Sequence, residues 1–102
     1  MSERRDKLTK MLESTPDDPF VHYALAMEDV SEGDEVGAAD RLGQLIERNP
    51  DYVAAYLQMG QVLARLGDTD AAKGVLKAGI KVAKKAGDAH AASEMDGLLK
   101  SL

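Results

Sequence analysis

The side chains able to do chemistry are few and scattered. Carboxylates stand side by side at Asp17-Asp18 and Glu28-Asp29, imidazoles at His22 and His90, and amines at Lys73, Lys77, Lys81 and Lys85 with Lys84 beside them. General acid–base work needs two groups aimed at one point, whereas neighbours in sequence leave a helix toward different sides. Helix capping accounts for Asp17-Asp18, and solvation accounts for Glu28-Asp29. The two histidines are isolated and there is no cysteine, so no metal-ligand spacing and no nucleophile–base pair is found. No glycine-rich loop is placed to cradle a phosphate. The chain is expected to be no enzyme and to hold no cofactor and no metal.

The lysines recur in steps of four, which sets them on one helical face. Such a face is either solvated or a docking strip for an acidic partner. The net charge of −5 argues against binding nucleic acid or an anionic membrane, both of which reward basic surfaces. That charge is uneven: residues 1–50 carry 6 basic and 12 acidic side chains, and residues 51–102 carry 7 and 6.

The elements that position these residues follow from a repeat. Shifting the chain by 34 residues lays Gly33-Asp34 on Gly67-Asp68, Ala38 on Ala72, Leu42 on Leu76 and Ile46 on Ile80. The same shift carries Leu8 onto Leu42, Glu13 onto Glu47 and Pro16 onto Pro50, so residues 4–16 read as the second half of a repeat. Gly-Asp recurs at 87–88. A glycine there closes one helix in the left-handed conformation, and the aspartate caps the next. Pro16 and Pro50 stop helical runs because proline has no amide to continue them. Apolar spacing such as Ala72, Val75, Leu76, Gly79 and Ile80 is helical, and no stretch alternates as a strand would. Six helices are predicted, at about 2–14, 18–32, 35–48, 52–66, 69–86 and 88–101. With 102 residues, 44% of them apolar, the chain makes one domain with a core. No apolar run reaches the roughly 18 residues of a membrane span. The start leads into no hydrophobic signal region, so the expected location is cytoplasmic.

A 34-residue helix–turn–helix period resembles the tetratricopeptide repeat family. Residues 53–86 read Tyr56-x-x-Met59-Gly60-x-x-Leu63, then Gly67, Ala72-x-x-x-Leu76 and Gly79, with the family's large and small residues in their slots. Residues 19–52 read His22-x-x-Leu25-Ala26-x-x-Asp29, Gly33, Ala38-x-x-x-Leu42 and Pro50. Asp29 stands where the family usually has tyrosine. Lys84 replaces the later proline, so that helix should run on toward Gly87. The resemblance implies an all-α, right-handed α-solenoid of antiparallel helix pairs. A single domain over 1–102 is expected: an N-terminal half-repeat at 1–16, repeats at 19–52 and 53–86, and a capping helix at 88–102. The small residues Gly60, Ala72 and Gly79 should let helix backbones approach, whereas Gly37, Gly43, Gly74 and Gly97 lie inside helices where alanine should be more stable.

The resemblance further implies a concave groove lined by the first helix of each repeat. Its positions here include Phe20, Tyr23, Ala24, Met27 and Val30, then Leu57, Gln58, Gln61 and Arg65. Phe20, Tyr23, Met27 and Val30 form an apolar stripe, which marks either an interaction surface or core. Some relatives clamp acidic chaperone tails with lysines, arginines and asparagines in this groove. The matching positions are Tyr23, Met27, Gln58 and Gln61, with Arg65 alone basic nearby, so such a clamp is not expected. The function implied is protein–protein interaction, with a partner's peptide or helix held in the groove. The alternative is a structural homodimer associating through the stripe.

Overall fold

Each of the three Gly-Asp pairs closes one helix and opens the next. Gly33 has φ +81°, in the region that favours glycine, and Gly67 and Gly87 repeat it. The Gly33 N–H donates to the Val30 carbonyl at 3.0 Å and the Asp34 N–H to the Asp29 carbonyl at 2.8 Å, which satisfies two terminal carbonyls. Asp34 then accepts the Gly37 N–H at 2.9 Å and so caps the following helix. Asp68 and Asp88 cap in the same way, and Asp18 accepts the Phe20 N–H ahead of a helix that begins with proline.

In the computed structural model, which describes residues 3–102, these signals produce six helices: α1 (Glu3–Ser14), α2 (Pro19–Ser31), α3 (Glu35–Arg48), α4 (Val53–Arg65), α5 (Thr69–Lys85) and α6 (Ala89–Ser101). No strand occurs among the described residues. The sequence puts the first helix at about residue 2, which lies outside them. Without a proline at position 84, α5 runs 17 residues, the longest of the six.

Each helix packs mainly on its neighbours in sequence, and α6 also reaches α4. The core is therefore serial. Leu8, Val21, Ala24 and Leu25 join α1 to α2. Ala26, Ala38, Leu42, Leu45, Ala55 and Val62 join α2, α3 and α4. Tyr56, Leu76, Ala83, Ala92 and Met95 join α4, α5 and α6. Ile46 packs against both of the last two clusters and links them. Neighbour-to-neighbour burial of this kind is how stacked repeats hold together.

Gly60 and Gly79 are the points of closest approach. A Cβ on Gly60 would lie 2.5 Å from Leu76 Cδ2, and one on Gly79 would lie 2.5 Å from Tyr56 Cβ and 2.6 Å from Met95 Sδ. Gly74 and Gly97 face open space, as their place inside helices suggests. Gly37 departs from expectation. An added Cβ there would run into the Asp34 carboxylate that caps α3, so alanine gains helix propensity and loses cap geometry together.

Three alanine variants should separate these cases in urea melts. Gly79→Ala should cost about 1–3 kcal/mol through overpacking. Gly74→Ala should gain up to about 1 kcal/mol, and Gly37→Ala should bring no net gain. A Gly79→Ala protein as stable as the parent would refute the close packing of α4, α5 and α6.

Candidate protein-binding groove

The apolar stripe on α2 divides between surface and core. Phe20 is 59% exposed at the start of the helix. Tyr23, Met27 and Val30 are half-buried and pack against the cluster shared by α2, α3 and α4. Ala24, expected in the groove, is instead buried with Leu8 between α1 and α2. On α4, Leu57, Gln58 and Gln61 are half-buried, and Leu57 rests on the cluster shared with α5 and α6.

Two contacts tie α2 to the α4 side. The rings of Tyr23 and Tyr52 lie 5.5 Å apart, tilted by 41°, and Gln58 lies close enough to the Tyr23 hydroxyl to favour its ionised form. Tyr23 and Gln58 therefore belong to one surface. Arg65 is committed elsewhere. Its guanidinium makes two hydrogen bonds to Glu35 at the start of α3, at 2.9 and 3.1 Å. Tyr52 escaped the sequence reading because it precedes a helix. Its equivalent one repeat earlier is the capping Asp18, and an aromatic in a capping slot was the available signal; α4 duly begins without a side-chain cap.

Glu28-Asp29 is not a solvated pair. Glu28 is 8% and Asp29 5% exposed. Asp29 Oδ1 takes Arg5 Nη2 at 2.6 Å, and Oδ2 takes Arg41 Nε at 3.1 Å, so one carboxylate joins α1, α2 and α3. Arg5 also pairs with Glu32 at 2.9 Å, and Arg4 with Glu28 at 3.4 Å. Glu32 first, and then Asp29, holds the Arg5 guanidinium more firmly protonated than usual. The aspartate in the family's tyrosine slot thus carries its own partners inward. Both histidines have ordinary surroundings: His22 Nε2 lies 2.7 Å from the Pro16 carbonyl, and His90 pairs with Glu94 on the next turn. Among the described residues, no group of three or more histidines and carboxylates could hold a metal ion, and no helix is long and apolar enough to cross a membrane.

Comparison with known proteins decides the family. A tetratricopeptide repeat model matches residues 29–94. The chain belongs to the tetratricopeptide repeat family. It is 30% identical over 95 residues to a TPR repeat-containing protein of Pseudomonas aeruginosa, covering 93% of this chain and 90% of that one. A tetratricopeptide repeat domain protein of Salinibacter ruber, solved in solution, superposes with a TM-score of 0.80 at 35% identity, covering 84% of this chain and 87% of its own. A Bordetella parapertussis protein shares the fold at 22% identity, with a TM-score of 0.85 over 99% of this chain and 88% of that one. Tetratricopeptide repeats generally mediate protein–protein interaction and are typically non-catalytic.

Two measurements check this chemistry. Asp29→Ala should cost about 1.5–3 kcal/mol, the usual worth of hydrogen bonds to a charged group, and a loss under half of that would mean water replaces the carboxylate freely. Burial pushes the phenols of Tyr23, Tyr52 and Tyr56 above the ordinary value of 10.0. A raised folded value means that folding favours the protonated phenol, so this contribution is intact below about pH 10 and is lost as pH rises through the folded values. Tyrosinate absorbance should therefore appear at higher pH in the folded protein than in urea. Coincident curves would contradict the burial.

Proposed function

We propose that the surface formed by α2 and α4 binds an apolar-faced peptide or helix from another protein. The observation carrying this reading is Phe20. A large ring 59% exposed, continuous with half-buried Tyr23 and Met27, is unfinished apolar surface that a partner can cover. Gln58 and Gln61 supply neutral polar contacts along one side. With Arg65 taken by Glu35, the groove offers no free cation for a carboxylate-rich tail, so the segment it fits is apolar and not acidic.

Phe20 is a cleaner probe than Tyr23 and Met27, because truncating those two also removes core packing. An aromatic anchor at a buried contact is worth about 2 kcal/mol or more, roughly 30-fold in affinity. Capture of partners from the native cell extract should fall by that order in Phe20→Ala while its melting curve stays close to the parent's. Crosslinks to the captured protein should map to α2 and α4. Unchanged capture, or crosslinks confined to other helices, would remove the groove from consideration. The exposed Phe20 equally supports a second reading, a homodimer through the same stripe. Light scattering separates the two, since that dimer would dissociate in Phe20→Ala and persist in high salt.

A further inference from the structure

Charges on the outside of α3 and in the turn that follows it stand one repeat from lysines of α5, with opposite sign. The 34-residue shift lays Glu47 on Lys81 and Asp51 on Lys85, while Lys77 falls one turn from Glu47 and between it and Asp40. All six side chains are exposed. None forms an ion pair among the described residues, although Arg4, Arg5, Arg41 and Arg65 each pair with a carboxylate of another helix. Like charges spaced four apart repel along a helix, so the lysine strip is left uncompensated within one copy. The turn after α3 and the end of α5 are also neighbours. Asp51 and Lys85 line the same open groove of about 740 Å³, floored by Pro50, Val82 and Ala86.

We infer that this face pairs with a second copy of the chain. As the second helices of successive repeats, α3 and α5 run in the same direction. A two-fold axis laid along the seam between them carries each lysine strip onto the other copy's acidic strip. Lys81 then meets Glu47 at equal height and Lys77 falls between Glu47 and Asp40, twice over, which is the closed self-complementary arrangement that two-fold dimers require. The net charge of −5 on each copy opposes association in other orientations, so the matched strips select this one. Val82, Ala86 and Pro50 add apolar area at the centre. The inference does not rest on the groove between α2 and α4 and uses none of its residues.

Sedimentation velocity on the intact protein tests it. The parent should dimerise at low salt and weaken by roughly tenfold or more as salt shrinks the screening length from about 10 Å toward 3 Å. Lys77→Glu with Lys81→Glu should be monomeric, and so should Asp40→Lys with Glu47→Lys. Mixing the two double variants should restore a dimer, because each then presents strips opposite in sign to those of the other. Circular dichroism checks that both variants remain helical. A parent monomeric at low salt, a dimer indifferent to salt, or two monomeric variants that fail to combine would each overturn the proposal, and the parent's salt series decides even if a variant fails to fold.

Discussion

Leu76 rests on the bare backbone of Gly60, and the Tyr56 side chain rests on that of Gly79 with Met95 alongside. These contacts bring α4, α5 and α6 closer than any side chain larger than hydrogen would allow. The helix separation is set there by backbone and not by flexible groups. The Tyr56 hydroxyl then donates to the Pro50 carbonyl at 2.5 Å and holds α4 to the end of α3. With Tyr56 and Gly60 turned inward, helical geometry sends Leu57, Gln58 and Gln61 toward the adjoining face. The surface of α4 that meets Tyr23 is thus a consequence of where two glycines sit.

The other end of the stack is fastened differently. There the close-packed apolar set is small, and among the described residues α1 is held to α2 with the lightest packing of any two consecutive helices. Guanidinium groups make up the difference, with Asp29 shared between Arg5 and Arg41. Close packing is indifferent to salt, whereas partly exposed ion pairs are screened by it. Salt therefore weighs most on the attachment of α1, the element with least to lose on opening.

How much of this was legible in the sequence depended on whether a feature is local or repeated. Gly-Asp at three sites announces both the end of one helix and the cap of the next, so the helix limits could be placed to within a residue or two. Gly60 and Gly79 were recognisable because the family keeps small residues in those slots. Asp29 was not, because two guanidiniums from α1 and α3 reach it across 24 and 12 residues, and sequence neighbours give no hint of them. Gly37 failed for a related reason: its position inside a helix was clear, but the capping carboxylate leaning over it was not. The α2 stripe was visible as a stripe. Its division into one exposed ring and three core-facing side chains depends on how α3 and α4 pack against it.

The residues that break the repeat are the ones that stacking alone does not dictate. What recurs every 34 residues is what each helix pair needs in order to stack: a glycine turn, a capping aspartate, a leucine and the small residue it meets. Such positions are constrained by geometry and carry no information about partners. Where the repeat is broken, geometry has left a choice. Tyr52 replaces the capping Asp18 and brings an aromatic ring to Tyr23. Asp29 replaces the family's tyrosine and trades apolar packing for an ion network. Lys81 and Lys85 replace Glu47 and Asp51 and reverse the sign of the outer face. Each substitution gives up local regularity, since α4 loses its cap, a carboxylate is buried, and like charges line one helix. Arg5 and Arg41 offset the buried carboxylate within the chain, whereas the like charges on α5 stand exposed, where contact with another protein can offset them.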